Sequence, residues 1–244
     1  MEHMTSIWAH RGTSSEAPEN TLPAFELAIS QGADGFELDV QRTADGELLV
    51  CHDETIDRMS GASGAVVDLT LDEIRSHNFG GSFGLHGVKA PMLREVFDLM
   101  RGNDVVCNAE LKDSLEPYPG MAAQVLDLIR ECGLAERIWI SSFNHWTLRE
   151  LAGADRGGVR LGVLYAEPLV DPWDYATRLG VQAIHPSWQS LALVPETTGR
   201  CHETGIAVHA WTCNTTDEIR TALDLGVDAV ITDYPARAAA ALSR

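Results

Sequence analysis

Basic residues are scarce in this 244-residue chain: 18 Lys and Arg stand against 36 Asp and Glu, which leaves a net charge of −18. A protein that binds duplex nucleic acid needs a basic stripe to neutralise phosphates, and the sequence contains none. An anionic membrane is disfavoured for the same reason, because the far field of the protein is negative. We therefore expect neither nucleic acid nor a stable membrane association. A small anionic substrate remains open, provided that local cations overcome the global charge.

Long apolar runs and paired cysteines are also lacking. No stretch of eighteen apolar residues occurs, which excludes a membrane-spanning helix. The polar start at residues 1–6 lacks the apolar region of a signal peptide. The five cysteines are odd in number and form no Cys-x-x-Cys pair, so we expect reduced thiols. Together these features predict a cytoplasmic protein.

Short apolar or β-branched runs alternate with amphipathic stretches, and no Pro/Ser-rich linker divides the chain. Strands are predicted at residues 6–9, 35–40, 47–51, 104–110, 136–141, 159–164, 181–184, 206–210 and 227–231. Helices are predicted at residues 21–31, 93–101, 120–132, 144–152, 172–179, 195–204, 215–225 and 235–242. This alternation predicts a single α/β domain over residues 1–244 with the fold of a TIM (β/α)8 barrel. A doubly wound open sheet is the rival fold, but a nucleotide-binding sheet needs more glycine after its first strand than His10-Arg-Gly-Thr supplies.

One segment interrupts the alternation. Residues 53–91 separate the second strand region from the next long helix and include the glycine-rich sequence at 80–84. A short helix at 71–76 begins with a capping box formed by Thr70 and Glu73. A segment of this length without a role in the barrel is more often functional than accidental. We expect a small inserted subdomain over the mouth of the barrel.

Acidic side chains gather where the predicted strands end, which is where TIM barrels place their active sites. Glu37 and Asp39 share one face of their strand, because residues two apart in a strand point the same way. Asn108, Glu110 and Lys112 share one face of a later strand for the same reason. Three buried carboxylates that converge require a cation. No Cys or His set has zinc spacing, so oxygen ligation favours Mg²⁺ or Ca²⁺, and the sequence leaves the choice between the two open.

Two basic side chains and two histidines complete this predicted site. Three carboxylates and a dication leave a formal charge of −1, which Arg11 and Lys112 bring to +1. A phosphodiester monoanion would neutralise that charge, whereas a phosphate monoester dianion would leave it negative. His10 and His52 can supply a base and an acid, because imidazoles titrate near neutral pH.

Short motifs carry these residues in order along the chain: His10-Arg-Gly, Pro18-Glu-Asn-Thr, Glu37-Leu-Asp, His52-Asp, Asn108-Ala-Glu-Leu-Lys, Trp211-Thr-Cys-Asn and Thr232-Asp-Tyr-Pro. The ordered set resembles the glycerophosphodiester phosphodiesterase family over nearly the whole chain. The resemblance implies a TIM-barrel hydrolase that uses a divalent metal to cleave glycerophosphodiesters to sn-glycerol 3-phosphate and an alcohol. It also implies that the segment 53–91 is the family's inserted subdomain, which contacts the glycerol moiety.

The resemblance assigns the metal to Glu37, Asp39 and Glu110, the phosphate to Arg11 and Lys112, and acid–base catalysis to His10 and His52. It does not decide which histidine is the acid, or whether water or a glycerol hydroxyl is the nucleophile. The alcohol that leaves and the oligomeric state are equally undefined.

Several neighbouring residues are expected to support the site. Trp211 is expected either to form an apolar wall for the glycerol or alcohol group or to belong to the core. Glu19 and Asn20 are expected to fix the first loop rather than touch the substrate. Asn108 is expected to orient Glu110.

Two other functions remain open at this point. One is a related phosphodiesterase that acts on lysophospholipid or inositol-type phosphodiesters, although the chain has no basic amphipathic helix to dock on a lipid surface. The other is a non-catalytic module that binds glycerol phosphate on a barrel scaffold. The complete set of acid, base and metal residues argues against this second alternative.

Overall fold

Eight parallel strands form a closed barrel in the computed structural model, which describes residues 5–242. The nine strands are β1 Ser6–His10, β2 Gly35–Arg42, β3 Leu48–Val50, β4 Val106–Leu111, β5 Ile138–Ser142, β6 Arg160–Tyr165, β7 Ala183–Pro186, β8 Ala207–Ala210 and β9 Ala229–Thr232. The barrel order is β1-β9-β8-β7-β6-β5-β4-β2, and pairing of β1 with β2 closes it, while β3 lies outside, antiparallel to β2. The predicted TIM barrel is confirmed and the open sheet is excluded. Residues 1–4, part of the start from which the lack of a signal peptide was predicted, lie outside the described residues.

The helices follow the predicted pattern, except that two short helices, Asp57–Ser60 and Trp188–Leu193, were not predicted. They are α1 Leu22–Ser30, α2 Asp57–Ser60, α3 Leu71–Arg75, α4 Leu93–Leu99, α5 Met121–Cys132, α6 His145–Ala152, α7 Pro172–Leu179, α8 Trp188–Leu193, α9 Thr197–Glu203, α10 Thr216–Asp224 and α11 Pro235–Leu242. Each predicted strand or helix boundary lies within two residues of the observed one. The short helix α8, whose N-cap Ser187 accepts a hydrogen bond from the Ser190 backbone N–H, was not predicted, because its six residues carry little helical periodicity.

Alternation along β2 separates the core from the site. Phe36, Leu38 and Val40 are buried in the main hydrophobic core between sheet and helices, where the Phe36 ring packs on Phe25 of α1 at a centroid distance of 4.8 Å. Glu37 and Asp39 therefore point into the barrel. The same alternation places Cys107, Ala109 and Leu111 of β4 in the outer core and Asn108 and Glu110 inside.

An aromatic layer fills the barrel below the mouth. His209 packs between Trp8 and Trp139, with centroid distances of 4.4 and 4.7 Å, and its Nδ1 lies 2.8 Å from His185 Nε2. Burial lowers the pKa of His185 to about 3 and that of His209 well below its usual value. This uncharged layer closes the barrel interior beneath the polar residues of the mouth.

The segment between β3 and α4 has a hydrophobic cluster separate from the main core. It contains α2, α3 and two 3-10 turns, Val66–Asp68 and Gly81–Phe83. The cluster consists of five residues of the segment 53–91, Ile56, Val66, Ile74, Phe79 and Ala90, which pack with Leu49 of β3 and with Cys51. The predicted capping box is present, since Thr70 Oγ1 accepts from the Glu73 backbone N–H and the Glu73 carboxylate accepts from the Thr70 N–H. These features support our proposal that the chain is one domain with residues 53–91 as an inserted subdomain.

Candidate active site

Three carboxylates meet at the carboxyl end of β2 and β4. Asp39 and Glu110 lie opposite each other in the parallel register of the two strands, and Glu37 lies two residues before Asp39 on the same face. One oxygen of each carboxylate lies within 4.8 Å of the others. Glu37 and Asp39 are buried, and the Glu110 side chain is only 12% exposed. The structure therefore brings together the three residues predicted to bind a metal.

The pKa values of these carboxyls show how costly their negative charge is here. Burial, followed by the charges of Asp39 and Glu110, raises the pKa of Glu37 well above its usual value. Burial and the charge of Asp39 raise the pKa of Glu110 to about 7. Burial also acts on Asp39, but the opposing charges of Arg11 and Lys112 outweigh it and hold its pKa below the usual value. Without a bound cation, protonation of Glu37 and Glu110 must neutralise part of the negative charge of the cluster.

A hard dication fits this donor set. Asp39 Oδ1 is buried and accepts no hydrogen bond from any residue that the structure describes. A buried oxygen without a donor is unfavourable, and a cation would satisfy it. The carboxylate oxygens are of the type that Mg²⁺ and Ca²⁺ prefer, so the three acids could hold such an ion.

Two cations flank the carboxylates. Arg11 Nε lies 3.3 Å from Asp39 Oδ2, and its Nη1 donates to Glu19 Oε1 at 2.9 Å. Lys112 Nζ lies 3.0 Å from Glu110 Oε1 and 3.8 Å from Asp39. Burial works against the charge of Lys112, but Glu110 and Asp39 outweigh it and raise its pKa. Both basic side chains are therefore positively charged next to the acidic cluster.

Each predicted catalytic histidine is paired with an aspartate. His10 Nδ1 donates to Asp233 Oδ1 at 2.6 Å, and His52 Nδ1 donates to Asp53 Oδ1 at 2.7 Å. Burial acts against ionisation of Asp53, but hydrogen bonds from Arg58 and His52 outweigh it and lower its pKa to about 2. Asp233 behaves similarly: burial opposes its ionisation, but the hydrogen bond and charge of His10, together with hydrogen bonds from Ser14 and Asn214, outweigh burial and lower its pKa. Both aspartates are ionised acceptors, which leaves Nε2 of each histidine for the pocket.

Seven of the eight predicted site residues line one cavity of about 110 Å³ at the barrel mouth, and the eighth, Asp39, belongs to the carboxylate cluster beside it. The seven are His10, Arg11, Glu37, His52, Glu110, Lys112 and Trp211. Trp211 donates from Nε1 to the His185 carbonyl at 2.7 Å and packs edge-on against Phe143 at 5.8 Å. Leu164 and Ile231 complete an apolar side of the cavity. Trp211 thus contributes to a pocket wall, which favours the first of its two expected roles.

Relatives of known class match the chain over nearly its full length. The model of the glycerophosphoryl diester phosphodiesterase family matches residues 10–237. A glycerophosphodiester phosphodiesterase from Caldanaerobacter subterraneus subsp. tengcongensis is 40% identical over 233 residues, which is 95% of each chain. The chain belongs to the glycerophosphoryl diester phosphodiesterase family. The predicted resemblance and the predicted enzyme class are thereby confirmed.

Solved structures of this family have the same fold. A glycerophosphodiester phosphodiesterase from Agrobacterium tumefaciens superposes with a TM-score of 0.82 and 28% identity, over 97% of this chain and 100% of that chain. A phosphodiesterase from Oleispira antarctica, solved in complex with the product sn-glycerol-3-phosphate, superposes with a TM-score of 0.85 and 25% identity, over 99% of this chain and 98% of that chain. Within residues 5–242, no helix combines the length and the apolar character that crossing a membrane requires.

The residues around this family site differ in part from the predictions. Asn20 Nδ2 donates to Asp39 Oδ2 at 2.8 Å, and its Oδ1 accepts from the Asp39 backbone N–H, so Asn20 orients a carboxylate as well as the first loop. Asn108 was expected to orient Glu110, which is wrong: its Nδ2 donates instead to Ser141 Oγ at 3.0 Å. The aspartate partners of the two histidines were missed. Asp53 is adjacent to His52, and Asp233 lies in the Thr232-Asp-Tyr-Pro motif, but neither pattern alone shows which histidine each aspartate contacts.

Proposed function

We propose that this chain hydrolyses glycerophosphodiesters to sn-glycerol 3-phosphate and an alcohol, with a divalent cation and two histidines. The observation that carries the proposal is the single cavity shared by an acidic cluster, two cations and two His–Asp pairs. The glycerophosphodiesterase relatives and the product complex of the Oleispira antarctica phosphodiesterase support it.

Glu37, Asp39 and Glu110 would hold the cation, either Mg²⁺ or Ca²⁺. When bound, the cation supplies stabilisation of the negative charge that grows on the phosphoryl oxygens. Arg11 and Lys112 would bind the phosphate, because they lie beside the cluster and both are charged. Three carboxylates, a dication and these two basic side chains give the site a formal charge of +1. A phosphodiester monoanion would therefore neutralise the site, whereas a dianion would not.

His10 and His52 would exchange protons with the reacting groups. One takes a proton from the nucleophile, water or a glycerol hydroxyl, and the other protonates the departing alkoxide, in either order. The aspartates fix the Nδ1–H of each ring and stabilise the imidazolium that forms. Nε2 is then the nitrogen that reaches the substrate.

The apolar side of the cavity would contact carbon atoms of the substrate. Trp211 and Phe143 form this wall at right angles to each other, next to the charged side. A cavity of about 110 Å³ suits a small diester better than the acyl chain of a lysophospholipid. Our proposed location is the cytoplasm, which the five unpaired thiols support.

A substrate panel tests this proposal. Glycerophosphodiesters of choline, ethanolamine, glycerol and inositol are each assayed for release of glycerol 3-phosphate with Mg²⁺ and with Ca²⁺. We expect turnover of at least one of them, its loss in EDTA, and its loss in His10→Ala and in His52→Ala. Turnover of micellar lysophospholipid alone would favour the alternative phosphodiesterase. Binding of glycerol 3-phosphate without any turnover would instead indicate a non-catalytic module.

A further inference from the structure

Arg58, in α2 of the inserted segment, donates hydrogen bonds to two carboxylates at once. Its Nε and Nη2 donate to Asp53 Oδ2 and Oδ1 at 2.6 and 3.1 Å. Its Nη1 and Nη2 donate to Glu19 Oε2 and Oε1 at 2.9 and 2.7 Å. The planar guanidinium is thus used as a double fork, a geometry that lysine cannot reproduce.

Both carboxylates hold a residue of the proposed chemistry on their other side. Asp53 accepts from His52 Nδ1 at 2.7 Å, and Glu19 accepts from Arg11 Nη1 at 2.9 Å. A continuous chain of hydrogen bonds therefore joins His52 to Arg11 through Arg58. The other histidine is supported differently, because Asp233 accepts from Ser14 Oγ and Asn214 Nδ2 rather than from an arginine.

We propose that Arg58 is a positioning residue for the reaction. Arg58 holds Asp53, which in turn orients His52, and it holds Glu19, which in turn orients Arg11. The inserted segment thereby positions one proton-transfer group and one phosphate-binding cation. This inference rests on the proposed function of the site.

The two pairs of hydrogen bonds that Arg58 makes, to Glu19 and to Asp53, predict two separable effects on catalysis. Without Arg58, Glu19 keeps only Arg11 as a cationic partner and competes with the phosphate for it, which raises KM. Without Arg58, Asp53 keeps only its hydrogen bond from His52 and loses the two that fix its position, so the ring of His52 is less firmly oriented, which lowers kcat. The Arg58 side chain is 48% exposed, so solvent screening limits each effect to about tenfold.

The experiment uses the full chain with Mg²⁺ and glycerophosphocholine. Arg58→Gln is made alone, with Asp53→Asn, and with Glu19→Gln. Alone, it is expected to lower kcat about tenfold and to raise KM about fivefold. In an Asp53→Asn background, Arg58→Gln should lower kcat by about twofold or less. In a Glu19→Gln background, Arg58→Gln should raise KM by about twofold or less. A merely structural role would change kcat and KM alike in every background.

Two further variants serve as controls. Arg94→Gln removes an arginine of matching exposure, 49%, whose ion pair with Glu131 is remote from the cavity, and it should leave both constants unchanged. Arg58→Lys keeps the charge without the double fork and should recover part of the loss. Equal thermal midpoints for Arg58→Gln and Arg94→Gln exclude misfolding.

The possible failures are distinguishable. An active wild type with Arg58→Gln unchanged, or with equal losses in all backgrounds, overturns the positioning role alone. A wild type inactive on every diester overturns the proposed function. In that case, calorimetry with glycerol 3-phosphate still tests Arg58, since Arg58→Gln should weaken binding about fivefold except in the Glu19→Gln background. An unchanged affinity, or no binding by the wild type, overturns the positioning role.

Discussion

His10 Nδ1 lies 2.6 Å from Asp233 Oδ1, although 223 residues separate the two in the sequence. Closure of the barrel brings the two residues together: His10 ends β1, Asp233 directly follows β9, and these two strands pair side by side. Hydrogen bonds from Ser14 and Asn214 hold the carboxylate in place. The fold thus gives the first histidine of the proposed pair an ionised acceptor that lies far from it in the sequence.

Asp233→Asn should lower kcat about 100-fold, because an amide cannot stabilise the imidazolium and can impose the wrong tautomer on His10. The measurement is steady-state kcat on glycerophosphocholine with Mg²⁺. The affinity for glycerol 3-phosphate should change little, since Asp233 does not line the cavity. Asp98→Asn, at an exposed ion pair with Arg101, is the matched control. A kcat within about threefold of wild type would remove Asp233 from the mechanism.

The barrel and its acidic cluster could be predicted because their determinants are local. Glu37 and Asp39 are two residues apart on a strand whose other face is apolar, and that pattern directs them inward. Contacts between distant segments could not be predicted this way. The partner of Asn108 is Ser141 on the next strand, and the partner of Glu19 is Arg58, which is 39 residues away in an irregular segment.

The acidic cluster predicts an unusual pH dependence of stability in cation-free protein. The pKa of Glu110, raised by burial and Asp39 to about 7, exceeds its value in the unfolded chain. Between the two values the folded state binds more protons, so the free energy of unfolding falls as pH rises through about 7. Glu110→Gln removes the contribution of Glu110 to this dependence. Its stability relative to wild type should rise from pH 5 to pH 8, by on the order of 2–3 kcal/mol.

Urea denaturation in EDTA at pH 5, 6.5 and 8 measures the difference in the free energy of unfolding between Glu110→Gln and wild type. At pH 8, saturating Mg²⁺ should make the wild type the more stable of the two, because the cation stabilises the wild-type carboxylates and the amide binds it poorly. The Glu116→Gln variant, at a carboxylate outside the cluster, should keep the wild-type pH dependence. A constant difference between Glu110→Gln and wild type across pH would contradict the raised pKa.

Asn20 should control cation affinity without contacting the cation. Its amide fixes Asp39 through Oδ2 and the backbone N–H, and its own backbone has a φ of 55°. Asn20→Gly removes the amide while tolerating that left-handed conformation. We expect cation affinity by calorimetry to fall about tenfold or more. Asn103→Gly, at an amide remote from the cavity, should leave the affinity unchanged, and an equal loss in both variants would contradict the role of Asn20.

Gly162 of β6 should be indispensable for the layer beneath the site. A Cβ on this residue would lie 2.1 Å from His185 Nε2, and His185 cannot move freely because it is fully buried and bonded to His209. Gly162→Ala should therefore destabilise the protein by about 3 kcal/mol, measured by urea denaturation. Gly199→Ala is the matched control: it adds the same methyl group in α9, where no atom beyond the neighbouring residues and the backbone of that helix lies within 4 Å, and should stabilise by about 0.5–1 kcal/mol. Equal stability of the two variants would mean that the His185 ring adapts without cost.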